Sequence, residues 1–235
     1  MAGWAIVPSV NVKAFRADAL ARMGELEAAQ AICDQGYSEL GEHEHAFSRS
    51  LLDFVQGCLW TRSGQYGKAI ELLRRALVDC RVNDIPTMSP CMVGILGEAL
   101  GRHGQTAEAI AALENAIADK SYLFAGLYSE YFLRQGLGIA LVFAGRCDEA
   151  LEQLALGRQH AATYQQHGHE AEALLALGEA EMRCGRPHAA ELSFKAAQAA
   201  ARACSMRGVL VQANACLAAL GLVMGDAAPL GLARG

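Results

Sequence analysis

A glycine followed five residues later by an alanine occurs five times in this chain at near-constant spacing, and that regularity constrains the fold more than any other feature. The segments are Gly24-Glu-Leu-Glu-Ala-Ala29, Gly64-Gln-Tyr-Gly-Lys-Ala69, Gly104-Gln-Thr-Ala-Glu-Ala109, Gly145-Arg-Cys-Asp-Glu-Ala150 and Gly185-Arg-Pro-His-Ala-Ala190. Their glycines stand 40, 40, 41 and 40 residues apart, and Gly225-Asp-Ala-Ala opens a sixth. A fixed period in this range belongs to stacked repeats, in which each unit buries its apolar face against its neighbours.

Each period reads as helix, tight turn, helix. The glycine follows an apolar-periodic run, where a helix end wants a left-handed residue and glycine takes it without a Cβ penalty. A second amphipathic run follows, such as Ala109-Ile110-Leu113-Ala116-Ile117, with apolar residues three and four apart. The alanine is small because the two helices of one hairpin cross there. Gly57, Gly97 and Gly138 precede their turn glycines by seven residues, and Gly178 makes a fourth. A glycine inside a helix costs about 1 kcal/mol relative to alanine, so close helix packing is expected in compensation. Composition agrees: 45 of 235 residues are alanine, the best helix former, and aromatics are only 6%.

The pattern predicts an all-α chain with helix pairs at 10–22 with 26–39, 45–62 with 66–81, 89–102 with 106–119, 123–143 with 147–164 and 169–183 with 187–203. A final helix at 207–224 caps the array. The division expected is an N-terminal segment 1–9, a repeat domain 10–225 and a tail 226–235. The first unit is atypical, with Ala17 where the mid-helix glycine would stand, and the chain opens on the apolar Trp4-Ala-Ile. That opening is read as the mark of missing upstream repeats, or of a partner covering this end, a second copy included.

These residues resemble the tetratricopeptide repeat (TPR) family. Leu96-Gly97-Glu-Ala-Leu100 and Leu177-Gly178-Glu-Ala carry that family's leucine–glycine pair in the first helix. Gly104 with Ala109, Leu113 and Ala116, and Gly185 with Ala190, Phe194 and Ala197, match its turn and second helix. The likeness runs from about residue 10 to 225, with one departure: the period is 40, where the family has 34. Longer repeats of this kind are similar to those of ATP-dependent bacterial transcription activators of the maltose-regulator type. Gln166-His-Gly-His-Glu-Ala-Glu-Ala-Leu-Leu-Ala-Leu-Gly-Glu is similar to repeats linked to class III nucleotide cyclases. The resemblance implies a right-handed superhelical solenoid of about five helix–turn–helix units, with local contacts only and ligands taken in a groove lined by the first helix of each pair.

At that groove a second register stands out. Two residues before the turn glycine come Arg22, Arg62, Arg102, Phe143 and Arg183, and four residues earlier come Asp18, Cys58, Glu98, Ile139 and Glu179. Asp18/Arg22, Glu98/Arg102 and Glu179/Arg183 are therefore i,i+4 pairs in the favourable orientation. One reading makes these solvated intrahelical pairs, with arginines complementing helix C-termini. The other makes them an arginine ladder for a carboxylate-bearing peptide or anionic ligand, Arg62 leading because Cys58 offers it no acidic partner. Phe132, Ile139, Val142 and Phe143 interrupt the ladder with an apolar stretch, either ordinary core or a seat for an anchor side chain. The lysine and asparagine of the family's chaperone-tail clamp are absent, and that specificity is not carried over.

Chemistry of other kinds fails on inspection. His43-Glu44-His45 and His167-Gly168-His169-Glu170 do not complete HExxH. No cysteine pair has zinc-site spacing, Gly136-Leu-Gly138 lacks a third glycine, and neither GxxxxGK nor GxSxG occurs. No catalytic residue, metal or cofactor is assigned, and the chain is not expected to be an enzyme. A net charge of −5 argues against direct nucleic-acid contact. The N-terminus lacks a basic n-region and a long apolar run, and Gln212 and Asn214 interrupt the apolar stretch 208–225, which reads as a buried helix and not a membrane span. Eight cysteines without a CxxC pair read as reduced thiols in a cytoplasm, most of them packed as small hydrophobes. The function expected is a protein- or peptide-binding scaffold, the regulatory part of a bacterial signal-transduction or transcription-regulatory protein. The alternative is a domain sensing a small-molecule effector and controlling an associated ATPase or nucleotide cyclase.

Overall fold

Turn chemistry sets the architecture. In the computed structural model, which describes residues 6–41, 45–120 and 128–226 (the last five by backbone alone), every turn glycine has positive φ, from 71° at Gly185 to 90° at Gly104. Each ends its helix with the paired hydrogen bonds of a Schellman motif: Gly64 N–H donates to the Thr61 carbonyl at 3.2 Å and Gln65 N–H to the Trp60 carbonyl at 2.8 Å. At each of these turns three residues separate one helix from the next. The helices are α1 (Pro8–Arg22), α2 (Leu26–Leu40), α3 (Ala46–Arg62), α4 (Tyr66–Val82), α5 (Ser89–Arg102), α6 (Thr106–Asp119), α7 (Ser129–Phe143), α8 (Cys147–Thr163), α9 (His167–Arg183), α10 (Pro187–Ala203) and α11 (Arg207–Asp226). The described residues contain no strand.

The predicted pairs match this order, and α1 extends two residues earlier because Pro8 sits in its first turn, where a missing N–H costs nothing. The expected start of α7 at 123 falls outside the described residues, as do Trp4, His43 and Glu44. No helix among the described residues is long and apolar enough to cross a membrane.

The mid-helix glycines do what their cost suggested. A Cβ at Gly57 would lie 2.7 Å from Leu73, one at Gly138 2.5 Å from Leu154, and those at Gly97 and Gly178 would press into Leu113 and Phe194. In each pair the large residue stands sixteen positions after the glycine, so a bulky side chain of the second helix fills the space left in the first. The first unit uses the same register with smaller partners, Ala17 and Cys33, both fully buried. One void can be closed from either side.

Stacking then buries a continuous core. The largest apolar cluster runs from Cys58 to Ala173 across the middle units, with smaller clusters at either end. First helices approach one another most tightly at α5 and α7, where a Cβ on Gly101 would be 2.8 Å from Ala140 Cα. The local-contacts expectation requires correction. Helix α11 touches α1, and a Cβ on Gly208 would lie 2.8 Å from the Arg22 carbonyl oxygen. Five helix pairs complete a turn and bring the two ends of the solenoid together around a central cavity. At the leading end, Val12 and Phe15 of α1 remain 65% and 64% exposed. The residues at the register of Val12 in later units, Leu52, Met92, Leu133 and Ala173, are buried by the preceding repeat.

Candidate functional site

The cavity is about 610 Å³ and is walled by the first helices and by the start of α11. Its walls carry Arg22, Arg62, Arg102, Glu98, Glu172 and Glu179 among apolar residues that include Ile95, Phe132, Ile139 and Leu175. Successive units repeat one register, so the groove arginines arrive at the same height on α1, α3 and α5. Closure of the ring then places α9 opposite them.

At the centre is Glu172. It accepts from Arg22 Nη1 at 3.0 Å, from Arg62 Nη2 at 2.6 Å and from the Tyr131 hydroxyl at 3.3 Å, with 8% of its side chain accessible. Arg22 also donates to Asp18 at 2.8 Å and to His169 Nε2 at 2.9 Å. That contact fixes a neutral imidazole whose Nε2 accepts. Burial opposes charge on Glu172, but Arg22 and Arg62 overcome it and hold the carboxyl down at about 2. Burial would also lower Arg22, yet Glu172 and Asp18 leave it raised. Burial, reinforced by Arg22, depresses His169 to about 4. Its ring lies against Tyr131, centroids 4.4 Å apart, and edge-on to Phe132 at 5.3 Å.

A second group forms around Arg102. Its Nε donates to Glu98 at 2.9 Å and its Nη2 to Glu179 at 3.4 Å. Burial works against the Arg102 charge, but Glu98 and Glu179 keep it raised.

Several expectations change accordingly. Arg62 was expected to lack an acidic partner; it has Glu172, supplied from 110 positions away by ring closure. Glu179 was paired with Arg183; it faces Arg102, and the Arg183 guanidinium stacks 4.4 Å from the Phe143 ring centroid. Arg183 and Phe143 satisfy each other and do not line the cavity, whereas Arg22, Arg62, Arg102, Phe132, Ile139 and Glu179 do. Phe132 packs edge-to-face on Phe54, centroids 5.3 Å apart, as part of the wall. The His167–His169 segment opens α9, and only His169 turns inward, as an acceptor for Arg22.

Cysteine usage also needs correction, because Cys147 and Cys184 form a disulfide, their Cα atoms 5.7 Å apart. Cys147 opens α8 and Cys184 follows α9. Stacked turns bring the position two after one glycine against the position just before the next. A sequence search for short cysteine spacings does not see a pair 37 residues apart. Arg186 and Asp148, 2.5 Å apart, bridge the same ridge. Cys33, Cys58, Cys80 and Cys91 are buried free thiols, as expected for small hydrophobes.

Glu172 was missed. It stands thirteen residues before its turn glycine, at the register held by Asn11, Leu51, Cys91 and Phe132 in the other units. A carboxylate where three of the other four units are apolar was the one available signal, visible only after alignment of the repeats.

Comparison with known proteins places the fold. No protein-family model matches the sequence, and no curated protein matches it. Among solved structures the chain is similar to a Rap protein complexed with Competence and Sporulation Factor, with TM-score 0.65 and 16% identity over 93% of this chain and 72% of that one. The putative kinesin light chain TPR-like repeats of Podosopora anserina match with TM-score 0.51 and 18% identity, over 83% and 95% of the two chains. A further structure of those repeats gives 0.50 and 19%, over 85% and 99%. The fold is a TPR-like solenoid. At these identities the likeness speaks to fold alone.

Proposed function

We propose that the chain is a protein- or peptide-binding scaffold of TPR type that takes a short peptide segment in its central cavity. In this reading it is the regulatory or sensing part of a cytoplasmic bacterial signalling or transcription-regulatory protein. The observation that carries it is the cavity itself: about 610 Å³ enclosed by the ring and lined by paired charges beside an apolar wall. An extended peptide offers what such a lining asks for, alternating N–H and C=O groups with an apolar side chain between them. The Rap neighbour, complexed with a factor, supports ligand binding as a use of this architecture. In this reading Arg22, Arg62, Arg102 and Glu179 hold the ligand and Phe132 and Ile139 contact its apolar part. Phe143 and Arg183 brace the adjoining repeat junction. Exposed Val12 and Phe15 on α1 supply a face for self-association.

A second reading has one observation in its favour. A volume of about 610 Å³ falls within the range of small-molecule pockets, which suits an effector-sensing domain controlling an ATPase or cyclase.

Selection of a random heptapeptide library against the full chain, with Arg102→Ala as control, separates the two. Recovered peptides whose affinity changes tenfold or more in the variant support the peptide site. Peptides that bind the variant equally place recognition outside the cavity. A library that yields nothing, with a metabolite retained through native mass spectrometry, favours the effector reading.

A further inference from the structure

The charges in the cavity divide into two groups of unequal balance. In the first, Glu172 on the wall faces Arg22 and Arg62, and Asp18, outside the lining, supplies a second carboxylate to Arg22. In the second, Glu98 and Glu179 share the single guanidinium of Arg102. The remaining charged groups of the lining, Glu25 and Arg207, are exposed at the rim and of opposite sign. Arg183, four residues after Glu179, is turned onto the Phe143 ring. With Asp18 balancing Arg22 from outside the lining, a local excess of one negative charge lies where Glu98 and Glu179 share Arg102.

The weaker contact shows which carboxylate is available. Arg102 to Glu179 spans 3.4 Å, longer than the 2.7–2.9 Å of a strong charge-assisted hydrogen bond, and the Glu179 side chain is 36% accessible. On the wall of the same cavity, the Oε1 of Gln135 is buried and accepts from no donor among the described residues. A buried acceptor without a donor costs free energy that a ligand N–H would recover. Ile95 and Ile139 provide adjoining apolar surface.

Resting on the peptide-binding reading, we propose that the cavity recognises a cationic side chain, the ammonium of lysine or the guanidinium of arginine, carried by the peptide next to an apolar residue. The cation lies between Glu98 and Glu179 and donates to Gln135 Oε1. The result reverses the polarity that the arginine register suggests in the sequence. An anionic ligand would have to displace Glu98 or Glu179 from Arg102 and would add charge of the sign already in excess.

The test uses a positional-scanning library of hexapeptides, acetylated and amidated so that only side chains are charged, against the full chain. Enrichment of lysine or arginine beside leucine, isoleucine or phenylalanine is expected. Glu179→Gln, which keeps side-chain shape and leaves Arg102 paired with Glu98, should weaken the selected peptides about tenfold. Replacing the basic residue of the peptide by citrulline should cost the same factor, and the two losses should not add. Enrichment of aspartate or glutamate would overturn the proposal while leaving the peptide reading in place. So would basic peptides that bind Glu179→Gln, folded by circular dichroism, as tightly as the parent. Recovery of no peptide at all would overturn both.

Discussion

Arg22 and Glu172 are 150 positions apart in the chain and 3.0 Å apart in space. They lie in the first and ninth helices, and no stacking of adjacent repeats would bring them together. Their contact exists because the solenoid completes a turn. It converts a linear array into a closed ring with an interior, and the loss of either residue acts on the ring and the cavity together.

Removing the Glu172 carboxylate should therefore be costly. Glu172→Leu leaves Arg22 and Arg62 facing each other in a buried site, and breaking a buried pair by one partner costs roughly 3–5 kcal/mol. Urea unfolding measures the loss. Small-angle scattering should show a larger radius of gyration as α9 withdraws from α1. A variant as stable and as compact as the parent would show that the ring closes without this contact.

Acid should weaken the fold in two steps, with signs that follow from the same cluster. His169 is lowered from 6.5 to about 4, so between those values the unfolded chain binds the extra proton and stability falls as pH falls. Glu172, lowered from 4.5 to about 2, adds stability above its unfolded value that is lost as pH drops further through about 2. The slope in the first window should approach about 1.4 kcal/mol per pH unit. Denaturant midpoints measured from pH 7 to 4 should flatten in His169→Gln, whose side chain does not titrate.

Glycine substitutions should split by register. Gly97→Ala sets a Cβ against Leu113 and should destabilise by about 1–3 kcal/mol, with part of that recovered in Gly97→Ala/Leu113→Val. Gly67 in α4 has nothing within 4 Å of a built Cβ, so Gly67→Ala should be neutral or stabilising by up to about 1 kcal/mol. Thermal melts of the three variants suffice. Equal effects at Gly97 and Gly67 would remove the packing explanation.

Reducing the Cys147–Cys184 bridge should loosen the junction of the fourth and fifth units. Closing a loop of this length contributes roughly 2–4 kcal/mol, and Cys147→Ser should lose about that much under oxidising conditions. Under excess dithiothreitol the parent and the variant should converge. Peptide mapping without reduction should recover the two cysteines in one linked fragment.

Much of this architecture was legible in the chain because repeats state their own boundaries. Gly64 predicts the end of α3 since a left-handed residue is needed there, and Gly57 and Leu73 meet because both belong to one hairpin, sixteen positions apart. These are local relations, fixed by φ, helical period and side-chain volume, and one unit repeats what the previous one says. The arginine register at 22, 62 and 102 was visible for the same reason.

What those arginines face was not. Whether Arg62 meets solvent, a ligand or Glu172 depends on the small rotation each unit adds to the last, summed around the whole ring. No single repeat encodes that sum, and a few degrees per unit decide whether α9 arrives opposite α1 or passes it. The sequence by itself determined the eleven helices of the described residues, their turns and their packing registers, because each is settled within forty residues by local sterics. Only the tertiary structure decided that the ends meet, that Glu172 bridges two arginines, and that Glu98 and Glu179 share the single guanidinium of Arg102, because those depend on positions accumulated over the full superhelical turn.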